Sequence, residues 1–257
     1  MGANSSCFCI VAPEETDAIA RYGVCGVLHA YQVGTGPRLC RSCGPISVSG
    51  GLLGIRLGAA PPEGNADSFC RQCVLECRSR GAAGVLADWE QFSREVFRFT
   101  RTLGHALERA GLTLMVPEAY AGVTDSALVM ISSALSGGSL ELRLHEAAER
   151  YGANRLVLAL ERLSDDFHLP AAGGTGRHLS AQELSALRQR RPCIYWSEDL
   201  CTRYFTYCGR DGVHFVLFDD AASLQRKLET AQKAGIRRWA AAWSEISDCA
   251  GTLLPAL

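Results

Sequence analysis

The feature that most constrains this chain is a recurrence of eight short apolar runs, most of them followed by a stretch with helical spacing. The runs are Cys7 to Ala12, Val24 to Leu28, Leu52 to Leu57, Gly81 to Glu90, Leu112 to Val116, Ala127 to Ile131, Arg155 to Leu160 and Arg238 to Trp243. Short apolar runs separated by helices are the pattern of parallel strands joined by crossovers, and eight is the number that closes a barrel. The competitor is a doubly wound open sheet, which carries a glycine-rich phosphate loop after its first strand. Here that turn reads Val11-Ala12-Pro13-Glu14-Glu15, which is nothing of the kind. The expected fold is therefore α/β, a single (β/α)8 TIM barrel domain over residues 1–257.

Helices are expected over Glu14 to Tyr22, Ala66 to Arg80 and Gln91 to Ala110, then up to Tyr151, and over Ala222 to Ala234. Two stretches break the rhythm. Val33 to Gly51 is rich in Gly and Pro and too long for a simple βα turn. An inserted region of about 164–220 begins with a loop from Ser164 to Arg177 and a helix from Ser180 to Arg190. It then offers Tyr204 to Cys208 and Val213 to Phe218 as a hairpin about Gly209-Arg210-Asp211-Gly212, a small insertion between strand seven and the last long helix.

Charge excludes some partners. With 26 basic and 27 acidic residues and no long run of either sign, there is no footprint for nucleic acid or for an anionic membrane surface. No apolar run approaches the length of a membrane span. The N-terminus lacks a basic segment followed by an apolar core, so the protein is expected to stay in the compartment where it is made, cytoplasmic or assembled from the cytoplasm. Nothing in the sequence marks an oligomeric state, and no cofactor is implied.

Twelve cysteines are many for such a chain. Cys40-Arg41-Ser42-Cys43 and Cys70-Arg71-Gln72-Cys73 form two C-x-x-C units, separated by 26 residues, longer than the usual four-thiolate zinc ribbon. Structural zinc is one reading. The other is that the thiols are small buried hydrophobes, since Cys70, Cys73 and Cys77 fall at i, i+3 and i+7 on one helix. The six histidines show no ligand spacing such as His-x-x-x-His, and His29 alone stands at a strand end.

In (β/α)8 barrels the reactive groups lie where strands end and βα loops begin. Here those positions carry Glu14, His29, Tyr31, Asp88, Glu90, Glu118, Tyr120, Glu161, Asp165, Trp243 and Glu245, an acidic and aromatic mouth. Carboxylates with aromatic platforms suit a carbohydrate ligand, because sugar rings stack on flat apolar faces while one acid protonates the leaving oxygen. Asp88 and Glu90 share one face of their strand, and two neighbouring carboxylates disfavour each other's ionisation. Glu90 has a second reading, as an anion placed before the helix that begins near Gln91. The aromatic group Tyr195, Trp196, Tyr204, Phe205 and Tyr207 either lines a sugar cleft or packs the hairpin on the barrel.

Gly84-Val85-Leu86-Ala87-Asp88-Trp89-Glu90 resembles the fourth-strand motif Asp-Gly-x-Asp-x-Asp-x-Glu of glycoside hydrolase family eighteen, the chitinase-like barrels, which include spore-associated members. A second likeness runs from His214 through Asp219-Asp220 and Ser223-Leu224 to Lys227, then from Gly235-Ile236 to Trp243. The resemblance implies that Glu90 is the general acid and base, that Asp88 orients the substrate's N-acetyl group, and that Trp243 is the floor under the scissile sugar. Tyr31, Glu118, Tyr120, Glu161 and Glu245 complete the expected substrate-binding set. The motif is incomplete: Ala83 and Leu86 replace two aspartates, and Met130-Ile131-Ser132-Ser133 stands where the family has Met-x-Tyr-Asp. The implied activity is hydrolysis of an N-acetylated glycan of the chitooligosaccharide or peptidoglycan type. The alternative is a non-hydrolytic glycan-binding or structural barrel with a degenerate site, such as a spore-layer component.

Overall fold

A computed structural model describes residues 7–42, 44, 50–58, 64–89, 91–170, 176–190 and 192–254. β1 (Cys7–Val11) leads through a 3-10 turn and the one-turn helix α1 (Thr16–Ile19) to β2 (Cys25–Gly34), and β3 (Arg38–Arg41) folds back antiparallel on β2. Then follow β4 (Leu52–Arg56), α2 (Ala66–Arg80), β5 (Gly84–Asp88), α3 (Arg94–Arg109), β6 (Thr113–Pro117), β7 (Leu128–Ser132), α4 (Leu140–Tyr151) and β8 (Leu156–Ala159). The chain continues through β9 (Ser164–Leu169), β10 (Arg177–His178), α5 (Ala181–Gln189), β11 (Tyr195–Ser197), β12 (Thr202–Cys208) and β13 (Val213–Phe218). It ends with α6 (Ala221–Lys233), β14 (Arg238–Ala242), α7 (Trp243–Ile246) and α8 (Ala250–Leu253). No helix among the described residues is long and apolar enough to cross a membrane.

Eight strands close the barrel in the order β1, β2, β4, β5, β6, β7, β8, β14, every neighbour parallel and β14 returning to β1. Alternation along the strands sorts their side chains into two layers. Phe8, Val27, Leu52, Leu86, Met115, Val157 and Ala240 fill the interior, with Ile10, Cys25, Leu128 and Met130 packed against them. The opposite faces meet the helices in two larger clusters, one under α2 and α3 and one under α4 and α6.

Gly84 shows how tightly the wall is closed. A Cβ at this position would land on the backbone of Thr113 in the neighbouring strand. Gly84→Ala is therefore expected to lower stability by about 1–3 kcal/mol, as overpacking does, and a thermal melt within 1 °C of wild type would contradict the close approach.

The expected hairpin is present, with β12 and β13 paired from Arg203–Phe218 to Cys208–Val213, but it belongs to a larger sheet. β9, expected as a loop, pairs along the whole of β13, and the five-stranded order is β10-β9-β13-β12-β11. Ser-Asp-Asp-Phe-His-Leu reads as polar because its alternation runs Ser164 and Asp166 with His168 on one side and Phe167 on the other, so half its residues face away from an apolar layer. Leu179, Phe205, Val216 and Phe218 pack one face against α5, while Phe167, Leu200 and Leu217 pack the other near Leu135, in the loop after β7.

The Asp219-Asp220-x-x-Ser223-Leu224-x-x-Lys227 signature has a structural use. Asp220 caps α6, its side chain accepting from the Ser223 N–H at 2.9 Å while the Ser223 hydroxyl accepts the Asp220 N–H at 2.8 Å. Asp219 is buried and accepts from four groups: the Leu163 N–H (2.9 Å), the Thr202 hydroxyl (2.7 Å), the Ser223 hydroxyl (2.8 Å) and the Lys227 ammonium (2.5 Å). One carboxylate thus ties the chain leaving β8, the added sheet and α6 together.

Candidate active site

The mouth of the barrel is built by continuing the interior alternation to the strand ends. Leu86 lies inside, so Asp88, two residues on, points into the opening. Val27 and Leu52 place His29 and Arg56 beside it. Gly54 makes this possible, since a Cβ there would lie 2.8 Å from Cδ2 of His29, which occupies that space. Nε2 of His29 lies 3.0 Å from Oδ2 of Asp88, and Nη2 of Arg56 lies 3.0 Å from Nδ1 of His29. Nε of Arg56 also lies 3.1 Å from Nε2 of His29, so a proton on Nε2 serves Asp88 and leaves Nδ1 to accept from Arg56 Nη2 alone. The Asp88 side chain keeps 41% of its surface exposed, so this positioned carboxylate remains accessible to a ligand.

Glu90 lies outside the described residues. Its surroundings bear on it nonetheless. Trp89 is buried on the outer face, its indole N–H donating to the Thr100 hydroxyl at 2.7 Å, which pins the end of the strand to α3. α3 begins at Arg94 rather than near Gln91, and Ser93 caps it by accepting from the Val96 N–H at 3.1 Å. The helix start has its own cap and does not call for the Glu90 carboxylate.

Across the opening, the Ser132 hydroxyl donates to Oε2 of Glu161 at 2.6 Å, and Oγ of Ser133 accepts the Glu161 N–H at 3.1 Å. Ser132 follows Met130 on the inward face of β7, the position where the tyrosine of the family motif is missing. Glu245 stands at the edge of this group, where its Oε2 accepts the Arg162 N–H at 3.2 Å. It also lines a cleft of about 870 Å³ beneath α5, with His178, Arg188 and Asp248. Burial pushes the Glu245 carboxyl up from its ordinary value of 4.5, the Arg162 N–H opposes this, and the charge of Glu161 adds to the rise. A carboxyl whose folded value is raised stabilises the fold fully below the unfolded value and loses that contribution as pH climbs through the folded one. Glu245→Gln should therefore melt higher than wild type above pH 5 and by a shrinking margin toward pH 4; an equal offset at every pH would contradict the assignment.

Four residues expected at the mouth are placed elsewhere. Tyr31 is buried under α2, where its hydroxyl donates to Oε1 of Glu76 at 3.0 Å. The register of β2 against β4 shifts between Leu28 and Tyr31, and such a bulge reverses the face that later side chains take. Tyr120 is buried in the same outer layer, its hydroxyl donating to the Gln91 carbonyl at 2.6 Å. Glu118 turns toward α4, where it pairs with Arg143 and accepts from the Tyr151 hydroxyl at 3.4 Å. Trp243 is one residue past the last strand: Ala240 faces inward, so Ala242 does too and Trp243 faces out, packed on Tyr22 with ring centroids 6.0 Å apart.

Arg56 is the mouth residue that sequence reasoning passed over, although the alternation Leu52, Gly54, Arg56 carried the signal. Among the other aromatics, Phe205 is fully buried in the added sheet and Tyr207 stacks on His214. Tyr195 is half exposed and stacked on Tyr204, with ring centroids 5.4 Å apart and planes at 27°. Cys70, Cys73 and Cys77 lie on the buried face of α2 in the outer core, where burial pushes the Cys77 thiol up to about 12 and Cys70 to about 11. Cys40 lies on β3, Cys43 is outside the described residues, and no three cysteines converge as ligands among the described residues.

This fold is similar to that of solved chitinases and of a glycoside hydrolase family 18 N-acetylglucosaminidase. A chitinase from Chromobacterium violaceum superposes with a TM-score of 0.68 at 16% identity, over 92% of this chain and 93% of that one. The spore cortex-lytic enzyme SleL of Bacillus cereus gives 0.68 at 15% identity, over 92% and 70%. A family 18 N-acetylglucosaminidase from Paenibacillus barengoltzii gives 0.64 at 15% identity, over 93% and 94%. At these identities the likeness is one of fold. No family model matches the sequence, and no curated protein matches it.

Proposed function

We propose that this barrel is a divergent glycoside hydrolase acting on an N-acetylated glycan, with Glu90 as general acid and base and Asp88 as the residue that orients the acetamido group. The observation that carries the reading is the Asp88 carboxylate, aimed into the mouth, held by His29 and still exposed, two residues before Glu90 on the fourth barrel strand. A carboxylate fixed in this way can accept the acetamido N–H and hold its oxygen toward the anomeric carbon, which positions an internal nucleophile while a second acid protonates the leaving oxygen. Solved neighbours of the same fold are described as chitinases, an N-acetylglucosaminidase and spore cortex-lytic enzymes, and a Cycas revoluta family 18 chitinase mutant is in complex with (GlcNAc)4. In this reading Glu161, linked to Ser132, and Glu245 accept sugar hydroxyls, and the Tyr195–Tyr204 stack serves as the flat apolar face in place of Trp243.

One observation favours the non-hydrolytic reading: Leu86 is packed in the barrel interior where the family has a proton-sharing aspartate, so Asp88 has His29 rather than a second carboxylate as its neighbour. The test separates the two. Chitooligosaccharides and peptidoglycan fragments are offered to wild type and to Glu90→Gln, and both turnover and binding are measured. Turnover by wild type alone supports the hydrolase; binding without turnover by either protein supports a glycan-binding barrel; neither binding nor turnover discards the hydrolase and leaves the structural barrel.

A further inference from the structure

β9 and β13 pair so that His168 stands opposite His214, and the turn entering β13 carries Asp211 back between them. Oδ1 of Asp211 lies 3.0 Å from Nε2 of His214, and the Asp211 carbonyl oxygen lies 2.8 Å from Nε2 of His168. One ligand atom from each of the three side chains lies within 4.8 Å of the others. We propose that His168, Asp211 and His214 form a binding site for a divalent transition-metal ion, of which zinc suits the donors best, and that this ion braces the rim of the five-stranded sheet away from the barrel mouth.

Donor chemistry is the first support. Two imidazoles and a carboxylate make the borderline nitrogen and oxygen set that zinc and its first-row neighbours take, with a fourth position left for water. In a tetrahedral site the ligand atoms stand about 3.3 Å apart, from metal–ligand distances of roughly 2.0–2.1 Å. The His214–Asp211 pair is already close to that spacing, and the exposed His168 ring would exchange its contact with the Asp211 carbonyl for the metal.

Orientation is the second. Nδ1 of His214 lies 3.0 Å from Oδ1 of Asp166, a buried carboxylate that also accepts the Tyr207 hydroxyl at 2.8 Å. The His214 ring stacks on Tyr207 with centroids 4.6 Å apart and planes at 13°. Nε2 is thereby left as the outward nitrogen, and a carboxylate behind the ring is what orients histidines at metal centres.

The turn itself is the third. A Cβ at Gly209 would lie 2.6 Å from Oδ1 of Asp211 and 3.0 Å from Nε2 of His214, and one at Gly212, where φ is +137°, would lie 2.8 Å from Nε2 of His168. Both glycines let the backbone come against the three donors. Forty-odd residues separate the histidines in sequence, so no local spacing announces the site; only the β9–β13 register brings them together.

Cobalt(II) titrated into the reduced full-length protein should give visible d–d bands that saturate at one equivalent and disappear on adding zinc. His168→Ala and Asp211→Asn, both at exposed positions, should each weaken binding at least tenfold and remove the rise in Tm that zinc gives wild type, while circular dichroism stays unchanged. No saturable binding at millimolar cobalt, a near-ultraviolet thiolate-to-cobalt band marking cysteine ligation, or binding that survives either substitution would overturn the proposal. None of these readouts depends on glycan turnover.

Discussion

Glu90→Gln is expected to cut hydrolysis of an N-acetylated glycan by about a hundred- to ten-thousand-fold, the range that a positioned general acid and base contributes. Glutamine keeps the size and polarity of the side chain but can neither give the leaving oxygen a proton nor take one from water. Binding should be unchanged, since the sugar contacts proposed for Glu161, Glu245 and the Tyr195–Tyr204 stack are untouched. Asp88→Asn should lose rate by a comparable factor, because an amide bonded to His29 presents a different donor and acceptor pattern to the acetamido group. Single-turnover measurements on a labelled chitooligosaccharide read both effects directly. A Glu90→Gln protein that hydrolyses at the wild-type rate would remove Glu90 from the chemistry.

Lys227→Met should be the most damaging single change to the fold, lowering stability by about 3–5 kcal/mol, the cost of leaving a buried charge without its partner. Both side chains of the Lys227–Asp219 pair have no solvent exposure, at a separation of 2.5 Å. Methionine fills similar volume, so the loss measures the orphaned Asp219 carboxylate rather than a cavity. Restoring charge balance with Asp219→Asn in the same chain should recover part of the loss, since the Thr202 and Ser223 hydroxyls, which share Oδ1, can still donate to the amide oxygen, while the amide nitrogen in place of Oδ2 faces the Leu163 N–H and keeps the recovery partial. Urea denaturation of the two singles and the double closes the cycle. A Lys227→Met protein within 1 kcal/mol of wild type would mean that the pair does not hold α6 to the added sheet.

The barrel was legible because its signal is local. Each strand announces itself over about five residues, and eight such runs separated by helices leave few architectures open. The inward direction of Asp88 was legible for the same reason, two residues after Leu86 on an unbroken strand. The outward direction of Tyr31 was not, because the bulge that reverses its face is a mismatch between two strands and has no trace in the composition of either. Trp243 illustrates how narrow the margin is: whether the strand ends at Ala242 or one residue later decides whether the indole enters the mouth or packs on Tyr22. β9 escaped notice because its polar residues find their partners on β10, β12 and β13.

By itself the sequence determined the eight-stranded alternation, the helices between the strands and the inward face of Asp88 at the end of the fourth strand, since all of these follow from periodicities within a few residues of chain. The tertiary structure alone decided which strand-end groups meet. It joined His29 and Arg56 to Asp88, bonded Ser132 to Glu161, sent Tyr31, Tyr120, Glu118 and Trp243 to the outer layer, and set His168 against His214. The reason is physical: a side chain's face is inherited from its own strand, whereas its neighbours are fixed by the register between strands, which depends on the closure of the whole barrel and sheet.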